Sequence, residues 1–186
     1  MLNQLKSGLK VLFERLPRGE VHFHHLILLL VLGQLLSSFF IHIHADTPWS
    51  QITATGWYHM VAGLTLTLFA LLFFAKVYLR RGSQDLYPWL GGHWQQIIAD
   101  LKQLKAMRLP EPVPGGLAAT VEGLGLLALL LAVATGALWF VVAQMGFDSA
   151  LLLSIHKTAV GAIELYFYGH GGFALLHLLH WWRQQG

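Results

Sequence analysis

Two histidines, His156 and His170, stand fourteen residues apart inside one long apolar stretch. At ~100° and ~1.5 Å per residue, that interval falls within ~40° of four whole turns and spans ~21 Å. Both imidazoles therefore leave nearly the same face of one helix, one towards each surface of a bilayer roughly 30 Å thick. A polar ring at such depth is costly unless something binds it. Two metal centres at two depths would bind both, and metal centres stacked across a membrane pass electrons.

Composition agrees with a membrane setting. Hydrophobic residues make up 55% of the chain and charged residues only 11%, with a mean hydropathy of +0.56. Such a profile belongs to a protein whose first partner is membrane lipid, and nothing in it calls for nucleic acid. The absence of cysteine excludes disulfides, thiolate metal sites, iron–sulfur clusters and covalently attached haem. Gly123-Leu124-Gly125 lies within an apolar run and opens no phosphate-binding turn, so no dinucleotide site is expected. Eleven histidines in so apolar a chain are left to explain.

The elements that position them follow from hydropathy. Four segments are long enough to span, roughly 22–43, 57–79, 118–145 and 150–182. The expected fold is an all-α integral membrane protein: one domain over residues 1–186, a four-helix transmembrane bundle with short interfacial amphipathic helices. The last two spans exceed what a bilayer needs and must tilt or project. No small-residue cleavage site follows the first, so it is expected to stay. Leu2, Leu5, Leu9, Leu12 and Leu16 recur at helical spacing with Lys6, Lys10 and Arg15 between them. Trp94, Ile97, Ile98, Leu101 and Leu104 repeat the pattern between the second and third spans. Both read as helices at the membrane surface. Pro110, Pro112 and Pro114 end the second of them.

Cation placement sets the orientation. Lys6, Lys10, Arg15, Arg18, Lys76, Arg80, Arg81, Lys102, Lys105, Arg108 and Arg183 fall on one side, which is 11 of the 12 Lys and Arg. By the positive-inside rule both termini are cytoplasmic, and Lys157 alone lies outside. At the two levels this defines, His59 opens the second span opposite His156, and one of His22, His24 and His25 faces His170. Two bis-histidine sites form a wire, and neutral imidazole is the natural axial ligand of haem b, leaving no position open to oxygen. Two haem b groups are therefore expected. Gly63 near His59, Gly161 near His156, and Gly169, Gly171 and Gly172 around His170 stand where a flat macrocycle needs room, or serve helix packing. His42 lies eighteen residues, five whole turns, after His24, so the two share a face, which brings His42 towards the outer centre or leaves it an interfacial or proton-handling role. His42 and His44 otherwise mark the outer interface, and His93 the surface. His177 and His180 lie near the inner headgroups.

These residues resemble the di-haem cytochrome b subunits of membrane-bound formate dehydrogenases and nickel–iron hydrogenases, together with their stand-alone bacterial relatives. The resemblance runs through all four spans. The family's aromatic-His element is matched by Phe23-His24-His25, which selects His24 over the runner-up His25. His-x-x-x-Gly is matched by His59-Met60-Val61-Ala62-Gly63, and a late Thr-Gly by Thr135-Gly136. The two histidines fourteen apart are His156 and His170. The resemblance implies His24, His59, His156 and His170 as axial ligands of haem iron. It further implies electron transfer between the quinone pool and a periplasmic or membrane redox partner at the outer face. A quinone site at the cytoplasmic haem is part of that implication, although Gly115-Gly116-Leu117-Ala118-Ala119-Thr120 stands where one branch keeps its Tyr-Asn and Gln-Lys element.

Two other functions compete. Some stand-alone relatives oxidise superoxide and reduce quinone, and Lys157, adjoining a ligand, would draw the anion in or else snorkel to the headgroups. A di-iron membrane oxygenase also uses many histidines, but its ligands converge on one side, whereas these divide between two depths. Glu164, between the two histidines of the fourth span, must be protonated or paired; it reads as a proton relay or as a hydrogen bond to a neighbouring helix.

Overall fold

The computed structural model describes residues 7–8, 16–44 and 46–184. The amphipathic N-terminal segment expected around Leu2, Leu5, Leu9 and Leu12 lies outside these residues. Six α-helices are described: α1 (Arg18–Ser38), α2 (Ala54–Arg81), α3 (Ser83–Leu86), α4 (Gln95–Lys105), α5 (Leu117–Gln144) and α6 (Ala150–Arg183). Short 3₁₀ turns occupy Trp49–Gln51 and Pro88–Gly91. No strand occurs among the described residues. α1, α2, α5 and α6 are each long and apolar enough to cross a membrane, and the protein is an all-α, multi-pass integral membrane bundle.

Local chemistry sets the helix ends. Thr53 Oγ1 accepts the Gly56 amide at 3.2 Å and caps α2. Gly82 gives α2 its last helical bond, its amide to Tyr78 O at 2.8 Å, and its φ of 76° then turns the chain out of the helix. Gly146, with φ of 78°, closes α5 with its own amide on Ala143 O at 3.1 Å and that of Phe147 on Val142 O at 3.2 Å, and Asp148 Oδ1 accepts the Ala150 amide at the start of α6. The first helix departs from expectation at both ends, running 18–38 instead of 22–43. At its start the amides of Glu20 and Val21 bond Pro17 O. At its finish Ser37 and Ser38 return their hydroxyls to Gln34 O and Leu35 O, at 3.0 and 2.7 Å. Each hydroxyl thus folds back onto a carbonyl three residues earlier in the closing turn. His42 lies beyond the helix end, so the shared face with His24 does not exist.

The fold divides into two compact units. The histidine unit comprises His22–Lys76 and Leu126–Glu164. Its core is Ile27 from α1, Leu66 and Ala70 from α2, Leu129, Ala132 and Val133 from α5, and Ala159 and Ile163 from α6. A second cluster joins Met60, Trp139 and Leu153, with Trp49 packed on Trp57, Trp139 and Phe140. Leu29, Leu68, Leu71 and Leu131 are exposed, as apolar side chains facing lipid must be.

The basic unit comprises Met1–Val21, Val77–Gly125 and Leu165–Gly186. Ion pairs organise it. Glu20, only 2% exposed, takes a two-pronged bond from Arg80 at 2.5 and 2.6 Å. Arg81 pairs with Asp85 at 2.7 Å and with Glu122 on α5. Burial alone would raise the Asp85 carboxyl, but the Arg81 guanidinium and the Gly115 amide outweigh it and hold it below its ordinary 3.8. Its contribution to folding is thus present above that value and lost as the pH falls through the lowered one. On α4, Ile97 and Asp100 turn inward while Trp94, Ile98 and Leu101 are exposed beside Lys102 and Lys105. The expected apolar stripe is therefore split between protein and surroundings, and a carboxylate shares its inner side. Asp100, also 2% exposed, accepts the Leu117 amide and Gln96 Nε2, both at 2.8 Å, and so caps α5 from another helix.

Asp100→Ala leaves the Leu117 amide and the Gln96 amide group without their acceptor. It should lower stability by about 1–3 kcal/mol, read as a drop in the thermal unfolding midpoint in detergent. Asp100→Asn, which keeps one acceptor, should lose less.

Candidate functional site

The histidine unit brings two of the expected ligands together. His59 sits one turn into α2 and His156 two turns into α6, both half-buried. Each is tethered by one ring nitrogen. His156 Nδ1 lies 3.0 Å from Ala132 O of α5. A carbonyl can only accept, so Nδ1 carries the proton and Nε2 keeps its lone pair. His59 Nδ1 lies 2.8 Å from Ser37 Oγ of α1. The Ser37 hydroxyl donates its single hydrogen to Gln34 O, so it accepts from His59. The consequence is the same tautomer, with Nε2 bare. Two neutral imidazoles with Nδ1 engaged and Nε2 presented are what a metal takes from histidine.

Small residues make this possible. A Cβ on Gly136 would stand 2.9 Å from His156 Cε1 and 3.0 Å from Nδ1, so only glycine admits the ring against α5. Thr135 Oγ1 bonds Leu131 O at 2.6 Å and Ala132 O at 3.1 Å, sharing the carbonyl that holds His156. The Thr-Gly pair thus serves His156 directly. Gly63 seats the Gln34 side chain, whose Nε2 donates to His59 O at 3.2 Å. Gly161, expected to make room near His156, packs against no described neighbour. It lies five residues on, ~140° round the helix, and is exposed with open space where a Cβ would be. Gly169, Gly171 and Gly172 likewise have open space, and only Gly171 and Gly172 are part-buried. The chemistry of Gln34 and Ala132 does not mark them as site residues in the sequence. Thr135-Gly136 was a visible signal, but a backbone carbonyl has none.

Other candidates fall as follows. His24 is half-buried on α1, whereas His22 and His25 are exposed. His170 lies on α6 in the basic unit, half-buried, with the Tyr166 ring stacked on it at 5.1 Å and 20°. Glu164 is half-buried, and no hydrogen bond or ion pair to it is seen among the described residues. His42 and His44 are exposed beyond α1. Lys157, exposed, reaches Ile43 O at 3.5 Å and lines an open cavity of about 490 Å³ with His44, Ser154 and Thr158. His93 is exposed, and His180 contacts Gln184 at 3.0 Å.

A family model described as prokaryotic cytochrome b561 matches residues 15–185. The match takes in all four long helices, and the chain belongs to that family. No curated protein and no solved structure matches. Family membership brings with it haem b and transmembrane electron transfer. The donor set of His59 and His156 fits haem b, with two neutral imidazoles from different helices and the protonated nitrogen of each already engaged.

Gly136→Ala forces the His156 ring off Ala132 O and should weaken haem retention roughly 10- to 100-fold, the usual range for an outer-shell partner. Ser37→Ala should act in the same direction through His59. Gly161→Ala, opening onto free space, should leave retention unchanged. Haem per purified chain, from the reduced-minus-oxidised spectrum, checks all three.

Proposed function

We propose that this prokaryotic cytochrome b561 family member is a single four-helix domain that carries electrons through two bis-histidine haem b groups. The reading has a partner redox protein at the outer face and the quinone pool as the other terminus. Bound haem would supply one-electron exchange at its iron. The chain's own residues do the rest. His59 and His156 offer Nε2 to one centre, and Ser37 and Ala132 O hold their tautomers. His170 serves the second, with His24 as its partner on the strength of the sequence motif. The observation that carries the reading is the pair of bare Nε2 atoms, each fixed by an Nδ1 bond to a different neighbouring helix.

Orientation follows from charge. With 11 of 12 Lys and Arg on the side of the termini and the α2–α5 connection, that side is cytoplasmic and the membrane is the bacterial inner membrane. The outer centre is then the one at His59 and His156. Quinone belongs to the cytoplasmic centre. There the residues at the start of α5 are engaged by carboxylates, Gly115 by Asp85 and Leu117 by Asp100.

The pyridine haemochrome assay should give two non-covalent b haems per chain. His156→Ala should lose one and retain the other, and His170→Ala should lose the other. One haem in the unaltered protein, or loss of both in either variant with normal insertion, would overturn this reading.

A second reading rests on the cavity at Lys157. A cation, two hydroxyls and His44 line it immediately beside His156, which suits a small anion giving its electron to the outer centre. A superoxide:quinone oxidoreductase would work in this way. Stopped-flow mixing of superoxide with quinone-loaded protein should then show fast haem reduction, slowed in Lys157→Gln. A pure electron-transfer subunit shows neither.

A further inference from the structure

The outer pair of histidines is oriented through ring nitrogens, and the structure shows a different device at His170. Tyr166 precedes it by four residues on α6, so both side chains leave the same helix face. Helical side chains lean towards the N-terminus, which lays the His170 ring over Tyr166. The two rings stack 5.1 Å apart at 20°, close to parallel. Tyr166 is itself seated. Its Cδ2–Cε2–Cζ edge occupies the space that a Cβ on Gly125 of α5 would take. A methyl group there would overlap the ring outright.

We propose that Tyr166 is the positioning residue for His170, with Gly125 as the slot that holds it. Together they set the plane of the imidazole and so the orientation of one axial ligand. The inference rests on the reading of His170 as a haem ligand. Sequence alone does not suggest it, since Tyr166 looks like one more aromatic in an apolar helix and Gly125 like one more packing glycine. The chemistry consists in orientation: an imidazole turned about its iron–nitrogen bond changes the anisotropy of the low-spin ferric centre without changing its ligand set.

The test uses the full-length oxidised protein with its haem bound, in detergent, observed by electron paramagnetic resonance alongside haem content. The signal assigned to His170 is the one that disappears in His170→Ala. Tyr166→Leu should move the largest g value of that signal alone and weaken haem retention at that centre roughly tenfold. Tyr166→Phe keeps the ring and should match the unaltered protein. Gly125→Ala should move the same signal with the tyrosine still present. An unshifted signal in Tyr166→Leu, or a shift as large in Tyr166→Phe, would overturn the proposal, the latter by assigning the effect to the hydroxyl. Should Gly125→Ala fail to insert, the Leu and Phe variants decide the matter alone. If the unaltered protein holds one haem and His170→Ala loses none, the ligand reading has failed. Two haems with an unshifted Tyr166→Leu signal means that only the positioning role has failed.

Discussion

An imidazole has two nitrogens, and at membrane depth neither can turn to water. That constraint organises the histidine unit. At His156 the protonated nitrogen is taken by a backbone carbonyl of α5, and at His59 by a serine whose own hydrogen is already committed to α1. Each tether comes from a helix other than the one bearing the histidine. The ring geometry therefore depends on four helices keeping register, α1 with α2 and α5 with α6, and at His156 a glycine is what lets them approach. Gly136 admits the His156 ring, while Gln34 beside Gly63 binds the His59 carbonyl.

Charge is handled by the opposite strategy. Where an imidazole is placed deep and fixed, carboxylates and guanidinium groups are drawn to the helix ends and paired. Glu20 with Arg80, and Arg81 with both Asp85 and Glu122, join the start of α1, the end of α2 and the first turns of α5 within the basic unit. Partly buried pairs of this kind add little net stability, because desolvation offsets much of their attraction. What they fix is which residues meet. Asp100 extends the same logic to a neutral partner, the exposed first amide of α5.

The four spans were legible because long apolar runs admit few alternatives, and the third and fourth ended within one residue of expectation. The first was displaced because hydropathy sees Phe39 to Ile43 as more helix, and cannot see that Ser37 and Ser38 satisfy the closing turn. On α4 the helical period was right, but the identity of the inner side was not, since a buried aspartate reads as a surface residue until its partner is known. The pairing of His59 with His156 in one unit followed from counting depth along the chain. Their tautomers did not, because a carbonyl such as that of Ala132 leaves no mark on sequence. Glycine was the least legible residue: Gly161 has the right spacing but the wrong face, whereas Gly136, noticed only as half of a dipeptide, carries the close approach.

The segment between α2 and α5 is fastened at both ends, by Asp85 to Gly115 and by Asp100 to Leu117, while Met107 between them is 94% exposed with φ of 56°. An ordinary surface loop tolerates insertion along most of its length. Here tolerance is concentrated at one point, the Met107 turn, with anchored backbone before and after it. A small epitope or a labelling site placed there would report which side of the membrane this connection occupies without loosening the start of the third span. The same epitope a few residues to either side would pull on a helix cap.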